Sequence, residues 1–140
     1  MKGLFIGLNT IDLHFLVDSF PGRNEKAKAK KFEFCTGGPA TNAAITFSHL
    51  GGKSNLVSLI GKHHLKNKVI DELKEYKVEL TDLIPDRICD PIFASVVTTR
   101  DSGDRSVISY HPKQANKYDL LPDDLQPEIY NIILTDGFYP

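Results

Sequence analysis

Three short apolar runs, each closed by a glycine, punctuate the chain. Leu4-Phe5-Ile6 ends at Gly7. Asn55-Leu56-Val57-Ser58-Leu59-Ile60 ends at Gly61, and Asn131-Ile132-Ile133-Leu134-Thr135-Asp136 ends at Gly137. Apolar runs this short, bounded by turn residues, suit strands buried in a parallel sheet. Residues 40–50 read as a helix stopped by Gly51-Gly52. In the stretch 65–76, Leu65, Val69, Ile70, Leu73 and Tyr76 recur at helical spacing with Lys, Asp and Glu between them. Strands alternating with helices predict βαβ units around a parallel sheet. Three parallel strands leave an edge and two faces poorly covered. The pattern therefore predicts either further elements or a longer protein of which this chain is a part.

Two regions follow period two instead. Residues 26–34, KAKAKKFEF, alternate lysine with alanine and then turn aromatic, which predicts a half-exposed strand with Lys26, Lys28 and Lys30 on one face. Residues 92–99 and 106–110 are β-rich runs around Asp101-Ser102-Gly103-Asp104, a hairpin signal. With residues 13–17 they predict a small antiparallel sheet apart from the parallel one.

Composition changes this picture little. The chain has 140 residues, 41% hydrophobic and 25% charged, the profile of one ordinary globular domain. Seventeen basic and eighteen acidic side chains leave a formal charge of −1, so nothing pulls the whole chain toward nucleic acid or an anionic membrane. No apolar run approaches the roughly 20 residues that span a bilayer. The opening nine residues turn polar too soon for a secretory signal. Cys35 and Cys89, with no CxxC spacing, read as free thiols in a reducing cytoplasm.

Some motifs mislead. Gly52-Lys53-Ser54 ends like a phosphate-binding P-loop, but Phe47 occupies the position of its first glycine, and the triplet leaves a helix for a strand. It reads as a helix stop with a solvated lysine. Adjacent histidines in a helix diverge by about 100°, so His63-His64 does not make a metal site, and no metal-ligand set is expected. The lysines at 26, 28, 30 and 31 read as an edge strand protected from aggregation rather than a phosphate contact.

One constellation remains. Asn9 and Asp12 follow the first strand, Gly37-Gly38 and Asn42 open the first helix, and Asp136 ends the third strand. Open α/β sheets bind ligands beyond the carboxyl ends of their strands. Glycines admit close approach, a helix start offers free N–H groups, and Asn42 offers both donor and acceptor. With the Asp12 carboxylate, this donor and acceptor set suits a neutral polyhydroxylated ligand. Taken singly, Asn9 and Asp12 also read as turn residues and Asp136 as a cap.

At these residues the sequence resembles the ribokinase-like (PfkB) carbohydrate and nucleoside kinases. The family's first signature sets a glycine pair, a small residue, an asparagine, a second small residue and two later glycines at fixed spacing. Gly37, Gly38, Ala40, Asn42, Ala44, Gly51 and Gly61 match it throughout, and Gly7, Asn9 and Asp12 match the opening strand and the sugar-binding aspartate. GDRSVISYHP at 103–112 and TDGF at 135–138 resemble ketohexokinase and fructokinase-type members. The resemblance covers nearly the whole chain but only the family's N-terminal half.

The resemblance implies an α/β ribokinase-like fold, with a small antiparallel β-sheet lid from segments near 13–36 and 91–111 inserted in the core. It implies phosphoryl transfer from ATP, with Mg²⁺, to a sugar hydroxyl. Asn9, Asp12, Gly37, Gly38, Asn42 and Asp136 match sugar-side positions, and Arg105 matches a lid arginine that approaches the triphosphate. A homodimer through the lid is expected, because Phe32, Phe34, Ile92 and Val96 offer more apolar surface than one thin sheet covers. Two departures stand out. Pro39 replaces the lysine or asparagine that contacts substrate in ribokinases and ketohexokinases. The family's catalytic base lies in a Gly-Ala-Gly-Asp segment of its C-terminal half, and no such motif occurs here, so no catalytic residue is assigned. Residues 1–140 are therefore expected to be the inactive N-terminal portion of a kinase. The alternative is a non-catalytic domain that binds a sugar or dimerises. A generic nucleotide-dependent oxidoreductase fits poorly, since no GxGxxG follows the first strand.

Overall fold

The computed structural model describes residues 1–112, 122 and 125–138. In chain order they form β1 (Lys2–Ile6), β2 (Thr10–Val17), β3 (Lys31–Gly37), α1 (Pro39–His49), β4 (Lys53–Ser58), α2 (Lys66–Glu75), β5 (Val78–Asp82), β6 (Phe93–Thr99), β7 (Arg105–Tyr110), a 3₁₀ turn (Pro127–Ile129) and β8 (Ile132–Thr135). Two four-stranded sheets result. The first is parallel, in the order β5-β4-β1-β8. The second runs β3-β2-β6-β7.

The three apolar runs are β1, β4 and β8, and both expected helices are present within a residue of their predicted limits. α1 packs on β1 and β4, and α2 on β5. Their inward residues Ala40, Ala44, Val69 and Leu73 meet Phe5, Leu56 and Val78 in the core. Ala40 and Ala44 are small enough to bring α1 close to the strands, and both are fully buried.

The structure corrects three expectations. A fourth parallel strand, β5, lies between α2 and the loop at residues 83–92. Its five residues carry only Val78 and Leu80 as apolar positions, too few to announce a strand. Residues 26–30 are loop, with Lys26 and Lys28 exposed. Alanine buries little area, so the Lys/Ala alternation brings no gain on pairing; β3 starts where Phe32 and Phe34 supply it. The second sheet is mixed rather than antiparallel. β2–β3 and β6–β7 are antiparallel, but β2 and β6 run parallel, joined through the intervening βα elements. No described helix is long and apolar enough to cross a membrane.

Candidate functional site

The end of β3 and the start of α1 are held by close backbone approach. Gly38 precedes α1 with φ 102°, a left-handed conformation that disfavours side chains, and a Cβ there would collide with the Leu8 carbonyl. A Cβ on Gly37 would collide with the Asp12 carboxylate. The glycine pair thus lets the α1 entry lie against β2 and the β1–β2 turn. Pro39 opens the helix at a position where its missing N–H costs nothing.

Asp12 sits within β2 rather than in a turn. Its side chain is 18% exposed, and its Oδ1 accepts the Thr10 hydroxyl at 2.6 Å. His14, two residues on and so on the same face of the strand, brings Nε2 to 3.8 Å from Asp12 Oδ2. Asp12, His14, Gly38, Asn42 and Arg105 line one open cleft of about 690 Å³. The pairing explains how. Asp12, Ala94 and Ser109 share one rung across β2, β6 and β7, and His14, Val96 and Val107 share the next. All six face the cleft. Asn42 is exposed, and its side-chain amide makes no hydrogen bond among the described residues. A carboxylate, a free amide and a helix start therefore converge on one space, which is the equipment for holding hydroxyl groups.

The other sequence candidates are engaged beside the cleft. Asn9 is buried and donates from Nδ2 to Thr41 Oγ1 at 3.2 Å, while Thr41 Oγ1 donates to the Leu8 carbonyl at 2.9 Å. Asp136 spends its carboxylate on backbone. Oδ2 accepts Leu8 N–H at 2.8 Å and Ala40 N–H at 3.3 Å, and Oδ1 accepts Phe138 N–H at 2.9 Å. It pins the end of β8 to the β1–β2 turn and to the first turn of α1. Gly37 underlies Asp12. Arg105, exposed on β7, fits an anionic group entering the cleft. Among the described residues no cluster of acidic, histidine or cysteine side chains could hold a metal ion, so no residue here is assigned to Mg²⁺.

Other cleft residues carry weaker sequence signals. His14 follows Asp12 by two on a strand, so period two places it beside Asp12. Cys35, Thr36 and Glu72 also line the cleft. Burial first, then the negative charges of Asp12, Glu72 and Glu33, push the Cys35 thiol up to about 11. Cys35 and Cys89 are free thiols. His63 is held below its ordinary value mainly by burial, and its Nδ1 accepts the Leu65 N–H at 3.2 Å, which occupies it locally. Lys53, of the false P-loop, is exposed at the start of β4.

Comparisons with known proteins bear on the family and the fold. The family model described as pfkB family carbohydrate kinase matches residues 2–133. Comparison with curated proteins finds no significant match. Among solved structures, a candidate ribokinase from Agrobacterium tumefaciens superposes with a TM-score of 0.80 at 17% identity, covering 96% of this chain and 44% of that one. A ribokinase from Cryptococcus neoformans, solved with ADP, gives 0.70 at 22% identity, covering 99% and 42%. A nucleoside kinase from Methanocaldococcus jannaschii gives 0.61 at 22%, covering 78% and 36%. At these identities the likeness establishes the fold, which is ribokinase-like. The chain spans less than half the length of each of these structures.

Proposed function

The chain belongs to the pfkB family of carbohydrate kinases, and on that premise we propose that it supplies the sugar-binding cleft and lid of an ATP-dependent sugar kinase. The observation that carries this reading is the convergence of Asp12, Gly38 and Asn42, from β2 and from the start of α1, on one cleft. In this reading Asp12 accepts one substrate hydroxyl and Asn42 binds another, with the Gly37-Gly38 backbone close to the ring. ATP, when bound, supplies the phosphoryl group, and Arg105 is the residue of this chain suited to meet its phosphates. The second sheet acts as the lid, because its Asp12–Ser109 and His14–Val107 rungs form one wall of the cleft.

We place the catalytic base outside residues 1–140, as the absence of a Gly-Ala-Gly-Asp segment suggests. The exposed apolar residues of β8, Ile132, Ile133 and Leu134, favour a parallel sheet that continues in a longer protein. The 103–112 and 135–138 segments favour a ketohexokinase- or fructokinase-type substrate, though the structures above are ribokinases and a nucleoside kinase. A homodimer through the lid also belongs to this proposal, with a revised surface. Ile92 and Val96 are buried and Phe34 packs on the core, so they are not available to a partner. Phe32, Ile108 and Tyr110 are 54%, 74% and 53% exposed and take that role. The reading is tested by ADP formation with Mg²⁺-ATP and a panel of pentoses, ketohexoses and nucleosides. Sugar-dependent turnover is expected from the protein as its gene encodes it, and none from residues 1–140 alone. No turnover with any acceptor would sink the kinase reading.

A further inference from the structure

Asp12 has a neighbour in the cleft that the family signature does not mark. His14 follows it on the same face of β2, and both side chains line the cleft. Asp12 Oδ1 is committed to the Thr10 hydroxyl at 2.6 Å, while its Oδ2 accepts no hydrogen bond among the described residues. His14 Nε2 stands 3.8 Å from that Oδ2, beyond hydrogen-bond reach. The His14 side chain is 40% exposed and makes no hydrogen bond among the described residues. Across the sheet it faces Val96 on β6, which is apolar, and Glu33 on β3, which is paired with Lys31. An open carboxylate oxygen and an open ring nitrogen therefore share one space.

The gap between them suits a hydroxyl group. An oxygen about 2.8 Å from both atoms sees them roughly 85° apart, and a hydroxyl meets both by donating to Asp12 Oδ2 and accepting from His14 Nε2–H. Other polar groups satisfy one partner only. An ammonium donates to Asp12 but has no lone pair for His14. A carboxylate accepts from His14 but is repelled by Asp12. We propose that His14 is a specificity-determining residue of this cleft, its Nε2–H and the Asp12 carboxylate gripping one ligand hydroxyl from two sides. The inference rests on the carbohydrate-kinase reading and deepens it. The cleft then demands a hydroxyl at this one position of the acceptor and rejects hydrogen there, because two polar groups of the site would be left unpaired at once.

The test is a substrate-against-variant comparison on the protein as its gene encodes it. D-ribose, D-fructose and adenosine are screened, and the best acceptor is assayed beside analogues each lacking one hydroxyl. Every analogue is measured both as a substrate and as a competitive inhibitor, so one that is not phosphorylated still reports its affinity. Wild type, Asp12→Ala, His14→Phe and His14→Gln are compared. Phenylalanine keeps an aromatic ring on the strand without the N–H, and glutamine returns an uncharged N–H donor at the reach of Nε2. His14→Phe is expected to lower kcat/KM for the parent acceptor roughly three- to tenfold. It should leave one deoxy analogue within about twofold of wild type, the same analogue to which Asp12→Ala makes least difference. His14→Gln should recover most of the loss on the parent. The proposal is overturned by no loss in His14→Phe, by an equal loss on the parent and every analogue, or by His14→Phe and Asp12→Ala becoming insensitive to different hydroxyls. His14→Gln as impaired as His14→Phe also overturns it, since His14 would then act on Asp12 by charge alone. Wild-type kinetics for Asp12→Ala, or no turnover of any acceptor, overturns the kinase reading itself and the proposal with it. If His14→Phe does not fold, His14→Leu is read by the same criteria.

Discussion

Removing the Asp136 carboxylate should loosen the frame of the cleft before it affects any ligand. Its Oδ2 serves two donors from distant parts of the chain, Leu8 N–H and Ala40 N–H, and its Oδ1 serves Phe138 N–H. Leu8 is 6% exposed and Ala40 fully buried, so in Asp136→Ala these two N–H groups lose their acceptor where water enters with difficulty. Each stranded donor costs roughly 1–3 kcal/mol. Asp136 itself is only partly buried. Water entering the gap recovers part of the loss, which sets the expected destabilisation at about 2–4 kcal/mol. For a chain of this size that lowers Tm by roughly 6–15 °C. Asp136→Asn should lose less, because one amide oxygen still accepts both N–H groups. Urea and thermal unfolding followed by far-UV circular dichroism measure the three proteins. Asp136→Ala as stable as wild type would refute the assignment of Asp136 to the frame.

Asp82 is 8% exposed on its side chain and accepts from Ile60 N–H, Gly61 N–H, Ile84 N–H and, at 2.8 Å, Lys66 Nζ. Asp82→Ala should destabilise by about 3–5 kcal/mol, because it strands three amides and takes the ion partner from Lys66, whose Nζ keeps only the Pro85 carbonyl, and an unchanged urea midpoint would contradict this. With its pKa near 11, Cys35 has only about 0.1% thiolate at pH 8. Its alkylation by iodoacetamide, read by peptide mass spectrometry, should be slow there and rise about tenfold per pH unit toward pH 11; a rate already level between pH 8 and 9 would refute the burial argument. Ile108→Asp should convert the proposed lid dimer to monomer in sedimentation velocity at tens of micromolar, and a monomeric wild type would remove the dimer from the account.

The parts of the fold legible in the sequence are those with dense local signals. β1, β4 and α1 announce themselves through unbroken apolar runs and glycine stops, and the Gly37–Asn42 turn through a motif whose glycines answer to close backbone contacts. β5 escaped because Val78 and Leu80 alone mark it, and its strand state depends on pairing with β4. The Lys/Ala stretch misled because alternation without bulk has no packing consequence. Within the cleft, Asp12 and Asn42 were legible from their places at a strand and a helix start. Glu72 was not, since its facing depends on how α2 packs against β3, thirty-six residues away in sequence from the Thr36 N–H it accepts. The partners of Asp136 are likewise set by tertiary contact, at separations of 128 and 96 residues.

In the proposed function Asp12 holds a hydroxyl of the sugar that is phosphorylated. The most direct measurement is the steady-state kinetics of Asp12→Ala beside wild type, in a coupled assay of sugar-dependent ADP formation by the protein as its gene encodes it. A hydrogen bond to an ionised carboxylate contributes roughly 1.5–3 kcal/mol, so kcat/KM for the sugar should fall about tenfold to 150-fold. The KM for ATP should stay within about twofold, because Asp12 has no part in nucleotide binding in this account. A variant with wild-type sugar kinetics, or one whose loss appears in the ATP term instead, would contradict it.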